Sequence, residues 1–234
     1  MPILFDDCAQ SGREPYLGIQ ADPVPSVHNS GWTPSPGHDK VLDLALYPKF
    51  ERYVQDIIGR FAQDSRIVVW DLYNEPGAGF ADLNITIPLV EKAFAWARAI
   101  QPIQPLTVCV YTPYQSQAQR ILDLSDVISF HSYAELEATS RQIDQLELEG
   151  RPLICTEWMA RTRESRFTSH LPLFKQHKVG CYHWGLVAGK TQTYFPWRNA
   201  PNSPEPDVWF HDVLQEDGTP YDSSEVDFIR THLE

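Results

Sequence analysis

The sequence predicts an α/β fold of parallel strands, an incomplete (β/α)8 TIM barrel with six β/α units. Three observations predict it. Short apolar runs rich in β-branched and aromatic residues alternate with longer stretches whose apolar residues recur at helical spacing, the pattern of a parallel sheet with crossover helices. The runs read as strands covered on both faces, as in IVVW at residues 67–70. Two of the runs end in glutamate, at the strand end where α/β sheets and barrels do their chemistry.

The elements follow in order. Residues 2–8 form a first strand ending in Asp6-Asp7, and a Pro/Gly/Ser-rich loop follows to about residue 40. Loops of that length in a compact domain are usually functional or disordered. A helix over residues 47–63 carries Phe50, Tyr53, Val54, Ile57, Ile58 and Phe61 on one face. The second strand, 67–73, leads to Asn74-Glu75-Pro76, and a helix follows at 86–100. The third pair is a strand at 106–111 and a helix at 115–124; the fourth is a strand at 126–133 and a helix at 135–148 that stops at Gly150. The fifth pair is a strand at 152–158, ending in Thr156-Glu157-Trp158, and a helix at 165–176. The sixth strand, 179–184, opens a second long loop to about residue 207, and a helix at 223–232, capped by serine, closes the chain. The chain reads as one domain over residues 1–234.

Composition narrows the function. The net charge is −12, from 19 basic and 31 acidic residues, with no clustered Lys and Arg, which excludes a nucleic-acid surface and disfavours an anionic membrane surface. Aromatic residues make up 12%, seven of them Trp, enough to furnish stacking platforms for sugars as well as a core. The four cysteines show no CxxC or zinc spacing and read as buried thiols. Only His131 and His183 fall on strands, so neither a catalytic metal nor any other cofactor is expected. No signal peptide or membrane-length apolar run is visible, and the reading is cytoplasmic, although a secreted protein shorn of its leader would look the same.

Paired carboxylates at strand ends suit glycosidic cleavage. One protonates the leaving oxygen, and in retaining enzymes the other lies roughly 5–5.5 Å away and attacks the anomeric carbon. Two strands of one barrel would bring Glu75 and Glu157 to a shared mouth. Either glutamate alone is as easily explained as a loop cap.

With these residues in view, the chain resembles a clan A glycoside hydrolase, most like the family 5 cellulase/mannanase type. Asn74-Glu75-Pro76 matches that clan's fourth-strand motif, which implies Glu75 as general acid/base and Asn74 as a ligand of the sugar 2-hydroxyl. Thr156-Glu157-Trp158 matches the seventh strand and implies Glu157 as nucleophile. His131 and Tyr133 match sixth-strand positions, where the Tyr hydrogen-bonds the nucleophile. Trp184 matches the eighth-strand Trp, the floor of the subsite beside the cleaved bond. Further sugar contacts are expected from Trp32 and Trp197 in the two long loops and from Asp7, with Lys190 and Gln192 near the cleft. The resemblance runs from residue 3 to the last helix, and it departs in one respect. Counterparts of the first two barrel strands are absent, and with them the second-strand Arg that supports the nucleophile.

The expected activity is retaining hydrolysis of a β-linked, β-1,4 glycan, an oligo- or polysaccharide. The alternative is a carbohydrate-binding protein that kept the cleft and lost turnover. An esterase would need a Ser elbow of the G-x-S-x-G type, which the sequence lacks. Six strands leave edges beside Leu4 and Tyr182, and exposed edges aggregate unless covered. A second copy of the chain is the expected cover, as a homodimer. Light scattering at micromolar concentration should give the dimer mass; a monomer would contradict this.

Overall fold

The computed structural model describes residues 1–8, 13–111 and 118–233. The strands are β1 (Ile3–Asp6), β2 (Trp70–Asn74), β3 (Leu106–Thr107), β4 (Ile128–Ser132), β5 (Leu153–Trp158) and β6 (Gly180–Cys181). The helices are α1 (His38–Val41), α2 (Tyr47–Phe61), α3 (Ile87–Ile100), α4 (Ala118–Leu124), α5 (Leu136–Glu147), α6 (Phe167–His177) and α7 (Ser223–Leu233). The strands form two three-stranded sheets, β1-β2-β3 and β4-β5-β6. Every strand and every helix expected from residue 47 onward is present, though the strand ladders are shorter. The part of the expected third helix at residues 115–117 lies outside the described residues.

Contacts divide the chain into two compact units, Met1–Leu17 with Thr33–Ser129, and Gly18–Trp32 with Phe130–Glu234. In the first unit, β2 lies between β1 and β3 and pairs with both in parallel, with Phe5 opposite Tyr73 and Asp6 opposite Asn74. All five residues of β2 are buried, because the sheet is covered on both faces. Helices α2 and α3 pack on each other and bury Phe50, Val54, Ile58, Leu89, Val90 and Phe94. Gln104 staples this unit: its side-chain oxygen accepts from Trp70 Nε1 (3.2 Å), and its amide donates to the carbonyls of Phe61 (3.1 Å) and Asp64 (2.8 Å). The edge strand β1 is partly covered where Asp6 and Ser35 exchange backbone hydrogen bonds of 2.9 and 2.7 Å.

In the second unit, β5 is the middle strand and pairs in parallel with β6, Cys155 opposite Cys181. Trp158 is buried, ringed by Phe167, Phe174 and His170, so this large ring fills the core and does not line a cleft. Helix α7 is tied to the unit through the buried Arg161, whose guanidinium pairs with Glu225, donates to the Trp209 carbonyl (3.1 Å) and lies over the Tyr221 ring. A buried pair so fully hydrogen-bonded is costly to break from one side, because the remaining charge is left without water.

Candidate active site

In the first unit, the Asn74-Glu75-Pro76 segment leaves the carboxyl end of β2, the middle strand. Glu75 takes a left-handed backbone conformation (φ 43°), a sparsely populated state for a non-glycine residue that persists only where neighbours hold it. The holders are the acidic pair at the end of β1. Asp6 Oδ1 accepts a 3.0 Å bond from the Asn74 amide. Asp7 takes a 2.7 Å bond from Tyr73 Oη on one oxygen and a 2.7 Å bond from the Gly77 N–H on the other. The two carboxylates thus bracket the Asn-Glu-Pro turn on both sides. Gly77 must be glycine: its φ is +87°, and a Cβ there would lie 2.3 Å from the Leu83 carbonyl oxygen. Cys109, on the segment after β3, adds a third hold, since the Glu75 N–H points to its sulfur at 3.2 Å.

This geometry changes the role expected of Asp7. Its side chain is fully buried and both oxygens face protein donors, so it positions the turn and has no sugar-facing atom. Sequence reasoning gave no role to Cys109 and placed Asp6 only at the end of the first strand; the register that sets Asp6 beside Asn74 is the signal that finds the role of Asp6.

In the second unit, Glu157 stands near the carboxyl end of β5, again the middle strand. Tyr133 Oη donates a 2.7 Å hydrogen bond to Glu157 Oε2, and His131 Nδ1 lies 3.5 Å from the same oxygen. Both partners come from β4 and the residue just beyond it. A carboxylate approached by a phenol and an imidazole is held in one rotamer with its charge supported. Trp184 follows β6 through a 3.0 Å bond from its N–H to the Trp158 carbonyl, and its ring meets Trp32 edge to face at 6.0 Å.

Trp197 packs edge-on against Tyr133 (5.0 Å) and Phe210 (5.0 Å), with the Arg163 guanidinium over its ring at 5.2 Å. The rings of His28 and His211 complete this cluster. Burial lowers the pKa of His28 to about 4 and that of His211 well below the ordinary value, so both imidazoles are neutral near pH 7 and act as packing rings behind Tyr133. Trp197 therefore buttresses Tyr133, a role that sequence alone could not show. Gln192, expected near the cleft, is consumed in structure: its side-chain oxygen accepts from the Ser26 N–H (2.7 Å), and its amide donates to the Val24 carbonyl (3.0 Å).

One further group could offer metal ligands. Asp144, Glu147 and His177 bring one ligand atom each within 4.8 Å of one another. They lie on the surface of α5 and α6, and His177 is already bonded to Glu147 at 2.9 Å. The four cysteines are free thiols, and burial pushes the Cys181 thiol up to about 11, so it stays protonated.

No protein-family model matches the chain, and no curated protein matches it in sequence. Solved structures do match in fold. The β-glucuronidase of Ruminococcus gnavus is similar with a TM-score of 0.57 at 15% identity, over 82% of this chain and 37% of that one. The same enzyme in complex with D-glucaro 1,5-lactone matches with a TM-score of 0.56 at 14% identity, over 81% and 37%. Its complex with D-glucuronic acid matches with a TM-score of 0.56 at 14% identity, over 80% and 36%. The chain thus spans little more than a third of the length of these neighbours. The likeness shows a fold shared with glycoside hydrolases and does not single out family 5. Among the described residues, no helix is long and apolar enough to cross a membrane.

Burial raises the pKa of Asp7 from 3.8 to about 6, against the pull of the Gly77 and Tyr73 donors and nearby His38. A carboxyl whose folded pKa exceeds its unfolded value stabilises the fold fully below the unfolded pKa, and that contribution is lost as pH rises through the folded one. The shift corresponds to roughly 3 kcal/mol at most. Thermal melts from about pH 4 to 7 should show a fall in wild-type stability that is flattened in Asp7→Asn. Parallel curves for the two proteins would contradict this account of Asp7.

Proposed function

We propose that the chain is a retaining glycoside hydrolase acting on β-linked, β-1,4 glycans, with Glu75 as acid/base and Glu157 as nucleophile on an incomplete barrel of six units. The observation that carries this reading is a repeated placement: each three-stranded sheet has one glutamate at the carboxyl end of its middle strand, β2 or β5. A fold shared with β-glucuronidases supports the same reaction class.

The chemistry requires both carboxylates to address one glycosidic bond. Glu75, entering protonated, gives its proton to the leaving oxygen while a Glu157 oxygen attacks the anomeric carbon and the bond to the leaving group breaks. Glu75, now ionised, takes a proton from water, whose oxygen displaces Glu157 from the anomeric carbon and restores both groups. The Tyr133 hydroxyl holds Glu157 for attack, and Asn74, held by Asp6, presents its remaining amide capacity to the sugar. No cofactor enters this cycle.

The test is hydrolysis of aryl β-glucosides, mannosides, xylosides and glucuronides, and of β-1,4 oligosaccharides, by wild type, Glu75→Ala and Glu157→Ala. The account expects loss of roughly 10²–10⁴-fold or more in each variant, and azide rescue that forms a glycosyl azide. Absence of wild-type turnover with oligosaccharide binding retained would favour the carbohydrate-binding alternative.

A further inference from the structure

Two cysteines stand side by side in the second unit. β5 and β6 pair in parallel with Cys155 opposite Cys181 and Ile154 opposite Gly180. Side chains alternate along a strand, so Leu153, Cys155 and Glu157 share one face of β5. Ile154, Thr156 and Trp158 share the other, where Trp158 packs on Phe167 and Phe174 of α6. Register partners in a parallel pair send their side chains to the same face, and a Cβ placed on Gly180 would touch the Ile154 side chain at 3.8 Å. Cys181 therefore joins Cys155 on the face that carries Glu157. We propose that Cys155 and Cys181 are a dithiol site that closes to a reversible cross-strand disulfide by exchange with a low-molecular-weight disulfide.

The spacing suits the bond. Neighbouring strands run about 4.7–4.9 Å apart, inside the roughly 4.4–6.8 Å between Cα atoms that a disulfide spans. Both cysteines are free thiols. Burial raises the pKa of each, and for Cys155 the Cys181 thiol adds to the rise, as a close neighbour that would share its charge does. The strand that must adjust is the one able to: β6 is an edge strand with a two-residue ladder, and its Gly180 is exposed. Among the described residues, neither cysteine belongs to a group of three metal-ligating side chains, so the pair falls short of a structural zinc site.

Exposure sets the order of the reaction. Cys155 is fully buried and Cys181 half-buried, so a small disulfide RSSR meets Cys181 first. The Cys181 thiolate attacks one sulfur of RSSR, the S–S bond breaks, and RS⁻ leaves and takes up the proton that Cys181 released. Cys155 then loses its proton and attacks the Cys181 sulfur, and the second RS⁻ leaves as RSH. Two protein thiols give up two electrons and two protons, and RSSR becomes two RSH. The Cys155 S–H donates to the Glu157 carbonyl at 3.5 Å, so closing the bond removes that hydrogen and with it one hold on the Glu157 backbone. It also ties the strand of Glu157 to the strand whose Tyr182 N–H donates to the Cys155 carbonyl (2.9 Å) on the way to Trp184.

The test incubates the native full chain with oxidised glutathione, then denatures it, alkylates it with N-ethylmaleimide and measures its intact mass. Wild type should carry two maleimides fewer than the reduced control, with a peptide holding Cys155 joined to one holding Cys181, and dithiothreitol should restore alkylation of all four cysteines. Cys181→Ala, at a half-buried edge position, should leave Cys155 open to alkylation. Because Cys181 attacks as the thiolate and burial holds its pKa at about 11, closure should speed up about tenfold per pH unit between about pH 7 and 9. In ¹⁵N spectra the amides of Glu157 and Tyr182 should differ between the two forms. Four maleimides after oxidation, a glutathione adduct on Cys181 that never closes, or a bond to Cys8 or Cys109 in place of this one would each overturn the proposal. The thiol count reads the same whether or not the chain hydrolyses a glycoside.

Discussion

The Asn-Glu-Pro turn depends on one buried carboxylate. Asp7 directly follows β1, and its oxygens receive the Tyr73 hydroxyl and the Gly77 N–H from either side of Glu75. The parallel register sets this up, because pairing Asp6 with Asn74 brings the residue after β1 beside the turn. A strained φ at Glu75 is tolerable only with such holders, and the reward is a carboxylate presented at a defined place beyond the strand end. Deep burial of an acid beside a candidate catalytic acid is thus a positioning device.

The second unit solves the same problem differently. Glu157 stays in an ordinary strand conformation and is held through its side chain, by Tyr133 and His131. Tyr133 is in turn held by rings: Trp197 and His211 pack against it, and the neutral histidines add volume without competing charge. One glutamate is aimed by the backbone, the other by its partners. The long loops do double duty here, since one carries Trp197 behind Tyr133 and both line a cavity beside Trp32.

Much of this was legible in the sequence because burial on both faces leaves continuous apolar runs and amphipathic helices leave period-3.6 stripes. The middle strands β2 and β5 were legible together with their terminal glutamates. Ladder lengths were not. Val68 reads as strand yet is 63% exposed, because the ladder starts only where Trp70 meets Leu106. The roles of Asp6 and Asp7 depend on register, and that of Cys109 on a neighbouring strand, neither of which a linear pattern encodes. Trp32 and Trp197 looked alike in sequence, two indoles in Pro/Gly-rich loops. Only the partners that fold around them separate an exposed ring, Trp32, from a buttress, Trp197.

The most direct measurement is to trap the covalent intermediate. Incubation with 2-deoxy-2-fluoro glycosyl fluorides of gluco, manno and xylo configuration, then peptide mass spectrometry, reads which carboxylate forms the glycosyl ester, since the 2-fluorine slows both steps and the good leaving group restores the first. The account predicts one added fluoroglycosyl group on Glu157, absent in Glu157→Gln. Turnover of ordinary glycosides with no adduct, or an adduct on another residue, would contradict it.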